Sequence, residues 1–158
     1  MTKSSSLLIA FTTLAIVALT VTACFPGNNS SAPEQGEGLS QQTQAVPVGD
    51  GGSYTDVSAT GLAAMLEAKD FPLVNVHIPY EREIEGTDLF IPFDKIEQNL
   101  DQLPADKGSR IVLYCRSGSM SAIAARTLVQ LGYTDVWNLD GGMIAWEQAG
   151  YALVDEGR

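Results

Sequence analysis

Ile111-Val112-Leu113-Tyr114-Cys115-Arg116-Ser117-Gly118-Ser119-Met120-Ser121 is the stretch whose reading decides the fold. Its opening run is apolar without interruption, the pattern of a strand buried on both faces of a sheet. From Ser121 to Leu131 the pattern becomes helical, with a polar stripe of Arg126, Thr127 and Gln130. The thiol of Cys115 therefore stands at the carboxyl end of a strand, in a tight loop that opens a helix. Free backbone N–H groups and the helix dipole gather at such a place, which favours an anion and lowers the pKa of a thiol. A buried structural cysteine is the alternative, but the placement points to chemistry at one sulfur.

Outward from this loop, strands and helices alternate. Tyr54 to Val57 is a short strand, and Ser58 can cap a helix carrying Leu62, Met65 and Leu66. Phe71 to Ile78 contains the strand Leu73-Val74-Asn75-Val76-His77, and Pro79 to Pro92 reads as a long polar loop. Phe93, Ile96, Leu100 and Leu103 follow helical spacing until Pro104 stops the element. Val136 to Leu139 is a further strand, Gly141-Gly142 a turn, and Met143 to Gln148 a short helix closed by Gly150. This alternation predicts an α/β domain of roughly 100 residues, a small, mainly parallel sheet with helices on both faces. Ligands of such sheets bind beyond the carboxyl ends of the strands, where Cys115 lies.

The amino-terminal part has another character. Lys3 precedes an apolar region from Leu7 to Val21, the pattern of an export signal over residues 1–23. Val21-Thr22-Ala23-Cys24 resembles the lipobox of bacterial lipoproteins, which implies lipidation of Cys24. Residues 24–52 are rich in Gly, Ser, Asn, Gln and Pro and read as a flexible tether to a domain over 53–158. The expected location is the bacterial cell envelope, with a lipid anchor in a membrane and the domain outside the cytoplasm.

The chain carries 9 basic and 19 acidic residues; loss of residues 1–23 removes Lys3 and leaves a net charge of −11. Such a surface argues against nucleic-acid binding. With Cys24 lipidated, Cys115 has no disulfide partner among the 2 cysteines. One histidine, His77, and no CxxC pair leave too few ligands for a zinc site, so no metal or other cofactor is expected.

The stretch from about Tyr54 to Val154 resembles a single-domain rhodanese, a sulfurtransferase. The residues that carry the resemblance are Leu73 to His77, Ile111 to Ser121, and Val136-Trp137-Asn138-Leu139-Asp140-Gly141-Gly142-Met143-Ile144-Ala145-Trp146 up to Gly150-Tyr151. The resemblance implies a Cys115 nucleophile that takes sulfane sulfur from thiosulfate or a persulfide and passes it to a thiol or cyanide. It implies a substrate cradle of Arg116, Ser117, Gly118, Ser119 and Met120, whose amides converge on the sulfur. The chain departs from the family at Met120, where Arg is frequent, at Asn75-Val76-His77, where Asp-x-Arg is common, and at Glu85 to Pro92, which replaces Gly-His-Ile-Pro. Arg116 can attract an anionic donor, whereas His77 reads as a strand-end residue with a satisfied hydrogen bond. Rhodanese-type phosphatases and arsenate reductases need Cys-x5-Arg, and here that final position is Ser121. The competing class is a non-catalytic module that binds a partner or senses persulfide.

Overall fold

Ile111, Val112, Leu113 and Tyr114 are fully buried, as an unbroken apolar strand must be. The computed structural model describes residues 42–49 and 51–157. In chain order they form β1 (Thr43–Pro47), β2 (Ser53–Val57), α1 (Ala59–Leu66), β3 (Leu73–Asn75), β4 (Glu83–Ile84) and β5 (Leu89–Phe90). A 3-10 segment (Phe93–Gln102), β6 (Ile111–Tyr114), α2 (Ser119–Gln130), β7 (Val136–Leu139), α3 (Gly142–Gln148) and β8 (Leu153–Val154) follow. The main sheet has the order β1-β2-β7-β6-β3-β5, and β4 pairs with β8 apart from it. Its strands are parallel except for the β1–β2 pair, so the α/β architecture with a mainly parallel sheet is the one observed.

Successive residues of β6 serve opposite layers. Ile111 and Leu113 pack with Val74, Ala124, Leu128 and Val129 beneath α2. Val112 and Tyr114 pack with Leu62, Leu139, Met143 and Trp146 beneath α1 and α3. Each large apolar side chain buried this way contributes about 1.5–3 kcal/mol, which is why both faces are covered. Ser58 caps α1 as its sequence position suggests, its Oγ accepting from the Gly61 amide at 3.1 Å.

Three local expectations are corrected. Thr43–Pro47, within the stretch read as tether, is a strand antiparallel to β2. Val48 next to it is buried in the core, and its amide donates to the Gly52 carbonyl at 2.8 Å. An edge strand needs few apolar residues, so the polar composition around it concealed it. The loop read over Pro79 to Pro92 holds β4 and β5, whose partners lie in β8 and β3. Those pairings are long-range and leave no local period to read.

The element after Pro92 is 3-10 rather than α, and its backbone leaves helical geometry at Asn99. Asn99 Nδ2 donates to the Lys95 carbonyl at 2.8 Å, taking the acceptor that an α-helical amide would have used.

Cys24 and the segment read as an export signal lie outside the described residues. Among the described residues, no helix is long and apolar enough to cross a membrane.

Tyr114 joins the last core layer to the 79–92 segment. Its Oη accepts from the Ile84 amide at 3.0 Å and lies 2.7 Å from Thr87 Oγ1. Burial pushes the phenol's pKa up, so it remains a neutral hydroxyl. Tyr114→Phe should cost about 1–3 kcal/mol by removing the acceptor of a buried amide. Chemical denaturation would read the loss, and hydrogen exchange would show it concentrated at Ile84.

Candidate active site

β6 ends at Tyr114 and α2 begins at Ser119, so the thiol sits in a connection too short to wander. Gly118 turns the chain with φ +86°, a left-handed conformation that favours glycine. A Cβ there would lie 3.1 Å from the Gly141 amide nitrogen, so glycine is also the residue that fits against the next loop. The turn brings the Gly118 N–H back to Cys115 Sγ at 3.2 Å. Ser121, in the first turn of α2, places its Oγ 3.4 Å from the same sulfur and 3.1 Å from the Gly118 carbonyl. The one Ser121 proton is shared between the sulfur and the Gly118 carbonyl, whose other lone pair accepts from the Ala122 amide at 2.9 Å.

Of the cradle residues read from the sequence, Gly118 touches the sulfur directly. Ser117 and Ser119 are exposed and their hydroxyls lie 3.4 Å apart. Met120 is half-buried against the α2 side of the core. Arg116 points outward, and its Nη1 meets Glu81 Oε1 at 3.3 Å. Ser121 was not among the expected site residues. It was readable as the first inward position of α2, one helical turn from the loop.

The loop is held from below by α3. The Met143 amide donates to the Cys115 carbonyl at 2.9 Å and the Ile144 amide to the Arg116 carbonyl at 3.0 Å. Gly142 permits this approach: a Cβ on it would stand 2.2 Å from the Cys115 carbonyl oxygen. The Gly-Gly turn, which alone reads as a plain loop, is thus the seat of the active loop.

Asn75 and His77 stand at the end of β3. Asn75 is buried; its Nδ2 donates to the Arg82 carbonyl at 3.2 Å, and its Oδ1 accepts from the His77 amide at 3.0 Å. The expectation of a satisfied histidine ring is corrected, since neither ring nitrogen of His77 has a hydrogen bond. Nε2 lies 3.6 Å from Glu81 Oε1, within ion-pair range but beyond hydrogen-bond distance. Arg126 is exposed at 5.6 Å from the Tyr54 ring centre, on the sheet side away from the Arg116–Glu81 pair. At the end of β2, burial and then Asp140 push the Asp56 carboxyl above its ordinary range, against the lowering effect of its Asn138 hydrogen bond.

Gly142→Ala should destabilise the domain by about 1–3 kcal/mol through overpacking. Gly150→Ala, also at positive φ but with open space around its Cβ, carries only the backbone cost. Paired denaturation curves would separate the two, and only the Gly142 variant should lose exchange protection at Met143 and Ile144.

Comparison with known proteins agrees with this geometry. The rhodanese-like domain family matches residues 58–149. A sulfurtransferase of Allochromatium vinosum is 35% identical over 92 residues, covering 57% of this chain and 84% of its own. A thiosulfate sulfurtransferase of Shewanella oneidensis is 31% identical over 102 residues, 61% of this chain and 96% of its own. The solved rhodanese-related protein of Thermoplasma volcanium matches with a TM-score of 0.55 at 26% identity, over 64% of this chain and 98% of its own. The chain with the Cys115 loop belongs to the rhodanese-like domain family, among homologues that include sulfurtransferases.

Proposed function

We propose that this protein is a rhodanese-type sulfurtransferase that carries sulfane sulfur on Cys115. The observation that supports it best is the pair of donors, the Gly118 N–H and the Ser121 hydroxyl, aimed at one thiol at the end of β6. The thiolate attacks the outer sulfur of thiosulfate; a bond forms between the two sulfurs, and the donor's S–S bond breaks to release sulfite. With a thiol persulfide as donor, the same attack releases the thiol. The Cys115 persulfide then gives its outer sulfur to cyanide or another thiol, and the Cys115 thiolate leaves with the electron pair of the broken S–S bond. Donors fixed in the loop stabilise the negative charge on sulfur without reorganising, and no metal enters these steps. The outer sulfur stands about 2.05 Å beyond Sγ.

Exposure to thiosulfate or inorganic polysulfide should add one sulfur atom to the protein in intact-mass analysis, removable by cyanide. Cys115→Ser should fold with nearly unchanged stability and take up none. A wild-type Cys115 that gains no sulfur from any sulfane donor would leave a binding or sensing module as the better reading.

We also propose that Cys24 is lipidated and holds the domain at the bacterial envelope, outside the cytoplasm. The support is the sequence Val21-Thr22-Ala23-Cys24 after an apolar run. Cys24→Ala should accumulate as an unprocessed precursor that takes up no labelled fatty acid, while the wild type is shortened and labelled.

A further inference from the structure

Arg116 is the one charged residue from Cys115 to Ser121, so it supplies the loop's only full positive charge beside the backbone N–H groups. It is not free: Glu81 Oε1 lies 3.3 Å from its Nη1, and the same oxygen is 3.6 Å from Nε2 of buried His77. A second guanidinium beside the loop is matched in the same way, Arg82 with Glu147 at 2.9 Å. Both pairs line one cavity of about 100 Å³ against Ile144, whose amide holds the Arg116 carbonyl. The side chains of Arg116 and Glu81 are 59% and 42% exposed, so their pairing adds little to stability. Its consequence is electrostatic, because a carboxylate held on the guanidinium offsets the one full positive charge of the Cys115 loop.

We propose that Glu81 is the specificity-determining residue of the Cys115 site, turning it from dianionic donors toward sulfane donors of low net charge. The proposal rests on the sulfurtransferase reading and names the substrate class within it. Glu81 is delivered by the segment after β3, which Asn75 fastens through the Arg82 carbonyl. Glu81 therefore has a fixed place, although it is far from Cys115 in sequence.

The test uses matched reagents that differ by one charge. Thiosulfate is a dianion and methanethiosulfonate a monoanion; each offers a terminal sulfane sulfur, and they leave as sulfite and methanesulfinate. One elementary charge about 10 Å away, at an effective dielectric constant of about 50, changes a rate by about threefold per unit of donor charge. Glu81→Gln should therefore raise kcat/KM about tenfold for thiosulfate and about threefold for methanethiosulfonate. High salt should shrink both gains. Glu81→Asp, which keeps the charge, should behave like the wild type.

Alkylation of Cys115 gives a second readout that needs no sulfur transfer. The rate ratio of iodoacetate to iodoacetamide should rise about threefold in Glu81→Gln, by the same Coulomb argument. Equal acceleration of both donors together with an unchanged alkylation ratio would overturn the proposal. Failure of the wild type to take sulfur from either donor would instead overturn the sulfurtransferase reading, and the alkylation ratio would still decide whether Glu81 sets the charge at the thiol.

Discussion

The near-contact between Gly142 and the Cys115 carbonyl is the constraint on which the site depends. Two consecutive carbonyls, of Cys115 and Arg116, have left the sheet and belong to no helix, and buried carbonyls need donors. The first amides of α3 supply them at 2.9 and 3.0 Å, but only if the backbone of α3 comes within van der Waals reach of the loop. That requires a residue without a Cβ at 142. Once the loop is seated, the left-handed turn at Gly118 points its own amide inward, and the sulfur receives a donor that belongs to the main chain. α2 lies between Cys115 and Gly142 in the chain, so its packing on β6 is needed to bring the two together. The apolar face of Ala124, Ala125, Leu128 and Val129 against β6 is therefore part of what positions the Cys115 loop.

The second anchor is polar. Asn75 and Tyr114 end adjacent strands, and both reach into the 79–92 segment, Asn75 through the Arg82 carbonyl and Tyr114 through the Ile84 amide. The segment has few apolar residues, yet Glu83 and Ile84 are buried, so long-range hydrogen bonds fix its path. This matters for the site because Glu81 and Arg82 travel with it. An Asp at position 75 would lack the Nδ2 donor that the Arg82 carbonyl uses.

Much of this was legible in the sequence. The unbroken run Ile111 to Tyr114 identified the central strand, and the loop that follows identified the thiol, because burial pattern and turn chemistry are local signals. β1, β4 and β5 were not legible, because short edge strands are defined by their partners rather than by their own residues. Ser121 was not legible as a site residue, because the contact of its hydroxyl with the sulfur depends on the turn that opens α2 rather than on residue type. The pairing of Arg116 with Glu81 spans 35 residues, and no spacing rule connects a loop cation to a carboxylate in another connection.

Cys115 is 1% exposed, which would limit the proposed sulfur transfer as much as the donors to its sulfur do. A thiol so enclosed can be met only by the tip of a narrow donor, and a terminal sulfane sulfur is such a tip, whereas a bulky disulfide presents substituents on both sulfurs. In the proposed reaction, persulfide formation would place the reactive atom about 2.05 Å beyond Sγ. Arg116, Ser117 and Ser119 of the same loop are solvent-facing. On the proposed reading the acceptor would meet a sulfur one bond further out than the one the donor meets, so a single fixed loop would serve both half-reactions. The charge state of the rim, set where Glu81 meets Arg116, then acts on whichever molecule approaches.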